Sequence, residues 1–328
     1  MGEKRRLSVL IAVPTCRRPR SLDRLLASLM TQQAPAGCDL GVLVVENDPA
    51  RAGISVAARY NDRRPDMPVS TCIEIEQGIP CARNRALDEA RAGGADFLLF
   101  LDDDEVADPD WLARLIEHCR LTGADLAGGP VYALDPERPL AALQSYLFRG
   151  VERWYEVRQI RNERRAVRGR VPVILTNNWA LGMAFQQRTG LRFDERFRIT
   201  GGSDADFHAR ALAAGARVTW CHDARVREII DPGRLTPGYI FARARQQAIS
   251  HFERRNGSAR PAAMLKQFLA APFLALLGLI RLATAPLAGP YAVVDGLRLL
   301  GRAAGKIMSV FGASSKLYKL GTSADPLG

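Results

Sequence analysis

Short apolar runs alternate with stretches of helical spacing through the first 125 residues. Residues 7–13 read as a buried strand, and residues 21–30, with leucines at 22, 25, 26 and 29, as a helix with one apolar face. Residues 40–45 give a second strand, and residues 69–75 a third, more alternating one. A helix with proline near its start follows over 80–91, then a fourth strand over 96–101 and another helix over 109–120. Strand–helix alternation of this kind predicts an α/β fold, a largely parallel sheet with helices on both faces.

The pattern loosens after Asp125. Residues 149–170 hold eight arginines and three glutamates without clear apolar periodicity, which reads as a mobile basic insertion or a charged helix with a solvated face. Strand character returns over 171–185 and 217–220. Between them residues 204–214 are helical, with Gly215 as a stop. Beyond about 235 the composition changes. A basic helix over 239–255 precedes thirteen uninterrupted apolar residues, 268–280. That run is shorter than the roughly twenty apolar residues a bilayer span needs. Together with 293–311, which mixes apolar residues with Arg298, Arg302 and Lys306, it suits amphipathic helices lying in a membrane interface. A core-packing hairpin or a re-entrant hairpin is the alternative. The expected division is therefore 1–235 as a catalytic domain and 236–328 as a basic, apolar helical region.

Charge sharpens the picture. The net charge is +11, and only five of the 46 basic residues are lysine, which favours an anionic partner. No nucleic-acid motif is present, so phospholipid or nucleotide is the expected partner and nucleic acid is not. Six cysteines without a C-x-x-C pair and only four histidines argue against a zinc site, and reduced thiols in a cytosol are the simpler reading. The basic residues 4–6 before the first strand imitate a signal peptide weakly, with a poor cleavage site after them.

The candidate chemistry sits after the fourth strand, where Asp102, Asp103, Asp104 and Glu105 follow an apolar run without a break. Such a cluster repels itself unless a cation sits on it, and carboxylates are natural ligands of Mg²⁺ and Mn²⁺. A solvated, negatively charged helix start is the alternative. Four further elements accompany it: Val13-Pro14-Thr15-Cys16-Arg17, Val44-Val45-Glu46-Asn47-Asp48, Gly78-Ile79-Pro80-Cys81-Ala82-Arg83-Asn84-Arg85, and Gly201-Gly202-Ser203-Asp204-Ala205-Asp206-Phe207.

As an ordered set over about residues 7–235, these motifs resemble the family 2 glycosyltransferases of the GT-A fold, within the bacterial branch that builds cell-surface and exopolysaccharides. The resemblance implies a Rossmann-like GT-A domain that moves a sugar from a nucleotide-sugar, a UDP-sugar being the first expectation, to a saccharide or polyprenyl-linked acceptor. Thr15, Arg17, Glu46, Asn47 and Asp48 would hold the nucleotide, with Arg83 and Asn84 approaching it from a helix start. Asp102 and Asp104 match the D-x-D motif that holds Mg²⁺ or Mn²⁺, and Asp103 stays a candidate because three aspartates leave the register open by one. Asp204 matches the catalytic base, with Asp206 as second candidate because Ser203 stands where the family usually has glutamate. A further option there is a helix capped by Ser203. Asn178 and Trp179 would line the acceptor pocket, unless Trp179 is a core residue. His222 would complete the metal shell, unless it is structural. The enzyme would sit peripherally on the cytoplasmic face of the inner membrane.

Two other functions are weighed. A sugar nucleotidyltransferase would want a glycine-rich phosphate loop after the first strand, and residues 14–19 hold no glycine. A non-catalytic scaffold would have lost the acids that are present here.

Overall fold

The computed structural model describes residues 5–136, 138–174, 176–256 and 261–315. Lys4 of the basic N-terminus and the tail beyond 315 lie outside them. In chain order the elements are β1 (Leu7–Thr15), α1 (Pro19–Met30), β2 (Cys38–Glu46), α2 (Ala52–Ala58), β3 (Val69–Ile73), α3 (Ile79–Ala92), β4 (Phe97–Phe100), β5 (Glu105–Ala107), α4 (Trp111–Thr122), β6 (Leu126–Gly128), β7 (Val131–Leu134), α5 (Ala142–Val167), β8 (Trp179–Gly182), α6 (Met183–Thr189), α7 (Ser203–Ala213), β9 (Val218–Trp220) and β10 (Val226–Ile229). The C-terminal region adds α8 (Pro237–Asn256), α9 (Pro261–Ala283), α10 (Ala285–Ala288) and α11 (Pro290–Val310).

A seven-stranded sheet runs in the order β3-β2-β1-β4-β8-β6-β9, and β5-β10-β7 form a second sheet of three. Strands β3, β2, β1 and β4 are mutually parallel, whereas β8 is antiparallel to both β4 and β6. The chain winds outward from β1 to β3, then returns to place β4 on the other side of β1. That reversal opens a crevice at the carboxyl ends of β1 and β4, where α/β sheets bind ligands. Alternation along β1 feeds two cores. Val9, Ile11 and Val13 pack with the buried leucines of α1 and with Trp111 on one face of the sheet. Ala12 packs with Leu43, Val45 and the aromatic group of Trp179, Phe193 and Phe207 on the other.

The strands and helices expected before residue 125 are present, each within a few residues of its expected span. Strands of three or four residues such as β5, β6, β7 and β10 carry too little periodicity to be seen in the sequence. Residues 171–185 are not one strand. A 3₁₀ turn at Thr176–Asn178 leads into β8, and a helix begins at Met183 and stops at the left-handed Gly190. The basic stretch 149–170 lies largely in α5, a helix of 26 residues. Its periodicity is hidden because polar side chains contribute to the packing. Gln159 is buried and donates to the Val131 carbonyl at 2.6 Å, and the buried Asn162 donates to the Val173 carbonyl at 2.9 Å.

The C-terminal helices pack onto this frame. A Cβ on Gly150 of α5 would lie 2.5 Å from the Pro290 carbonyl oxygen, so the start of α11 rests directly on α5. Gly301 and Gly305 bring α11 equally close to the Phe241 and Arg245 carbonyls of α8. Helix α9 runs antiparallel to α11, with Gly278 against Gly296 and Gln267 bonded to Lys306. The apolar run therefore belongs to a 23-residue helix, long and apolar enough by length and composition to cross a membrane, contrary to the shortfall expected from residues 268–280 alone. Leu265, Phe268, Leu269, Phe273, Leu276 and Leu279 leave one face of α9 more than half exposed.

The glycine contact gives a direct test. Gly305→Val should lower stability by about 2 kcal/mol, since a branched side chain must push α8 and α11 apart where they touch. The loss should appear in thermal unfolding, and a variant as stable as wild type would contradict this packing.

Candidate active site

Two loops at the carboxyl ends of β1 and β4 meet in the crevice. Thr15, the last residue of β1, donates its hydroxyl to Asp103 at 2.8 Å. Arg18, just before α1, places one guanidinium nitrogen 2.9 Å from Asp103 and 3.0 Å from Asp104. From the second sheet Arg234 reaches Asp104 at 3.5 Å and Glu228 at 3.2 Å. Glu228 faces Glu105 in the β10–β5 register and accepts the Tyr155 hydroxyl at 2.7 Å. Arg83, on the first turn of α3, holds Asp102 at 3.1 Å. Sequence reasoning had Thr15 and Arg83 but missed Arg18, Arg234, Glu228 and Tyr155, which come from distant segments and form no linear motif.

This group is out of electrostatic balance. If all are ionised, five carboxylates (Asp102, Asp103, Asp104, Glu105, Glu228) face three guanidiniums (Arg18, Arg83, Arg234), leaving two negative charges. Burial and the neighbouring acids raise the pKa of Glu105 well above the ordinary glutamate range, and one of its carboxylate oxygens is buried without a hydrogen-bond partner. Burial against Asp104 pushes Asp103 up to about 6 despite Arg18. The donor chemistry, all hard carboxylate oxygen, fits Mg²⁺ or Mn²⁺. Among the described residues no three acidic, histidine or cysteine side chains converge as a cage. A site for Mg²⁺ does not need one, since that ion is commonly held by one or two carboxylates plus substrate phosphates. Asp102, whose side chain is 40% exposed, lines the cavity, whereas Asp104 is buried beneath Arg18 and Arg234.

A cavity of about 420 Å³ opens from this cluster. Asp102 and Arg83 line it beside Glu228 and Arg234, and Asp204 lines it from the first turn of α7. The helix cap there is not Ser203. Gly202, with φ +94°, occupies the cap position, and Ser203 is buried as the first helical residue. Asp204 accepts a bond from the Ala205 amide at 2.8 Å. Asp206 points away and pairs with Arg210 at 2.7 Å without lining the cavity, so the geometry separates the two candidates. The remaining wall comes from Trp154, Tyr155 and Arg158 of α5, from one face of α8, and from Arg298 of α11.

Several expected ligand residues have other work. Glu46 is buried and accepts the Asp48 and Gly53 amides, which shapes the loop after β2. Asn47 donates to the Glu74 and Glu76 carbonyls and accepts the Gly78 amide, tying that loop to the start of α3. Asn84 is likewise closed on Phe193 and Glu195. Asp48 is different. Arg17, in the left-handed region at φ +57°, holds one carboxylate oxygen at 2.8 Å, and the other is buried without a partner. Trp179 is completely buried among Phe100, Phe193 and Phe207, so its face is not open to a sugar. Asn178 is buried too, bonded to Trp111 and to the Pro130 and Ala224 carbonyls. Their neighbours Thr176 and Asn177 reach the cavity instead. His222 pairs with Glu163 at 2.8 Å, half-exposed and off the cavity lining, which removes it from the acid cluster.

A mostly parallel sheet with an acid loop at its switch point is the layout of the GT-A fold. The family model for glycosyl transferase family 2 matches residues 10–181, and the chain belongs to that family. The succinoglycan biosynthesis protein ExoM of Rhizobium meliloti (strain 1021) is 31% identical over 248 residues, covering 75% of this chain and 74% of the relative. The mannosyltransferase PcManGT from Pyrobaculum calidifontis, solved with GDP-Man and Mn²⁺, shares the fold. Its TM-score is 0.56 at 18% identity, over 95% of this chain and 77% of that one.

Glu105 gives a testable consequence. Its pKa in the fold lies above its unfolded value, so the folded state binds that proton more tightly. The contribution of Glu105 to stability is then fully present at low pH and is lost as pH rises through the raised value. Glu105→Gln keeps the acceptor for the Asp102 amide and removes the charge. It should stabilise the metal-free protein at pH 8 by on the order of 1–2 kcal/mol and flatten the decline between pH 5 and 8. Thermal unfolding across that range reads it, and an unchanged slope would contradict the assignment.

Proposed function

We propose that this glycosyltransferase is an inverting, metal-dependent enzyme of cell-surface polysaccharide synthesis. The observation that carries this reading is that Asp204 and Asp102 line one cavity beside the acid cluster. The nucleotide enters at the ends of β1 and β2, where the unpartnered Asp48 oxygen is set to accept a hydroxyl or base N–H. Asp102 and Asp104 would hold the metal, which as a Lewis acid supplies charge stabilisation for the departing diphosphate. Arg83 approaches the same region from the α3 start. Asp204 accepts the proton of the acceptor hydroxyl as its oxygen bonds to the anomeric carbon and the bond from that carbon to the diphosphate oxygen breaks. A UDP-sugar is the first donor to try, with a GDP-sugar second, because the related fold of PcManGT holds GDP-Man.

Likeness to a succinoglycan biosynthesis protein supports an exopolysaccharide acceptor, free or polyprenyl-linked. In this reading residues 1–235 carry the donor chemistry, while the helices beyond close the acceptor side and meet the cytoplasmic face of the inner membrane. Attachment is peripheral, because α9 lies flush along α11 and offers only its outer face to lipid.

Two experiments check this. Asp204→Asn should lower kcat by about 10³-fold, leave nucleotide-sugar affinity within about twofold, and leave Asp206→Asn near wild type. The anomeric configuration of the product, read by proton NMR, should be opposite to that of the donor. An inactive Asp206→Asn beside an active Asp204→Asn would overturn the assignment. Separately, serine at Leu269, Phe273 and Leu276 together should move the protein from the membrane pellet to the soluble fraction without loss of activity on a soluble acceptor. Continued pelleting would exclude the α9 face as the anchor.

A further inference from the structure

Arg298 is a half-buried cation without an anion. It lines the cavity from α11, yet among the described residues no carboxylate lies within ion-pair distance of it. Its Nε is buried without a hydrogen-bond partner, and its terminal nitrogen makes only a long contact, 3.4 Å, to Gln247 of α8. The guanidinium rests on the Trp154 ring at 3.9 Å, with Arg158 at 5.9 Å from the same ring. Its electrostatic neighbours are Arg302, Tyr155, Arg158 and Asp295, and Asp295 is engaged by Arg281 at 3.2 Å. Burial and the two arginines lower its pKa to about 10, so it is still charged at neutral pH. A partly desolvated ion with a buried, unpartnered N–H is costly unless something pairs with it.

Arg298 enters the cavity from α11 beside Trp154, Tyr155 and Arg158 of α5, whereas Asp102 and Asp204 line it from the β4 loop and α7, and α11 carries α9 with its exposed apolar face on its other side. One helix diameter, about 10 Å, separates the cavity wall from that outer helix. We propose that Arg298 and Arg158, braced by Trp154, form an oxyanion subsite for a phosphoryl group carried by the acceptor. The inference rests on the donor and base assignments above, since it gives the nucleotide to the acid cluster and the phosphoryl group to the α5 and α11 side of the same cavity. A guanidinium offers paired N–H donors to phosphate oxygens, and two of them on one indole make a site for a multiply charged group. A phosphoryl group on a lipid carrier and a free sugar phosphate would both satisfy it.

The test is calorimetric titration of full-length protein with octyl phosphate and with inorganic phosphate, each alone and with UDP and Mn²⁺ at saturation. The expected result is one site whose affinity survives UDP and Mn²⁺ and falls at least tenfold in Arg298→Gln and in Arg158→Gln, while UDP affinity changes less than twofold. Tighter octyl phosphate supports the subsite with a lipid carrier as its source, and equal affinities support it with a free phosphate source. Phosphate binding unchanged in both variants would overturn the proposal. So would displacement by UDP and Mn²⁺, or weakened UDP binding in Arg298→Gln, since either assigns Arg298 to the donor. If UDP, GDP and dTDP all fail to bind, the donor reading fails, and the arginine dependence of octyl phosphate binding still decides the subsite. The ligand-free Arg298→Gln protein should unfold at or above the wild-type midpoint. A lower midpoint together with unchanged phosphate affinity would make Arg298 a structural residue and sink the idea.

Discussion

The acid loop after β4 is the constraint on which the rest of the structure depends. Asp103 and Asp104 are buried at the switch point of the sheet, where water cannot screen their repulsion. The fold answers with Arg18 from the β1 loop and Arg234 from beyond β10, each touching Asp104. Those two arginines join the nucleotide half of the sheet to the smaller three-stranded sheet. They neutralise the cluster incompletely, and the proposed function assigns the residual negative charge to a dication arriving with a diphosphate. The same acids that tie the two segments together through arginine are thus the ones on which the proposed donor chemistry rests.

The C-terminal helices belong to the site as well as bordering it. Helix α8 presents Arg243, Gln247, Ser250 and Arg254 to the cavity at helical spacing, and glycines at 301 and 305 let α11 approach it closely enough to deliver Arg298. The apolar face of α9 lies outside that layer. A chain segment that looks in the sequence like a separate appendage thus also forms a wall of the cavity.

Much of this was legible in the sequence because apolar alternation and strand-end motifs are local. The run before Asp102 and the four leucines of α1 needed no tertiary information. The rest was hidden in two ways. Glu46, Asn47 and Asn84 have the chemistry of ligand contacts, but the same donors and acceptors also close loops within the protein, which the sequence does not reveal. Trp179 has the chemistry of a sugar platform, yet β8 sits between β4 and β6 and buries it. Conversely, Glu228, Tyr155 and Trp154 belong to segments whose spacing carries no signal, since their partners lie far away in the chain or on the far wall of a cavity. Asp204 was legible as a candidate, and its place in the cavity lining together with the ion pair between Asp206 and Arg210 distinguishes it from its neighbour.

The most direct test of the central claim is the affinity for a nucleoside diphosphate, measured by calorimetry with Mn²⁺ and with chelator, on wild type and Asp104→Ala. UDP, GDP and dTDP should be compared so that one class is identified. The account predicts that Mn²⁺ raises the affinity for one class at least tenfold in wild type and that Asp104→Ala abolishes the gain. Equal affinity with Mn²⁺ and with chelator would contradict it, and would mean that Arg18 and Arg234 already supply all the positive charge the acid loop requires.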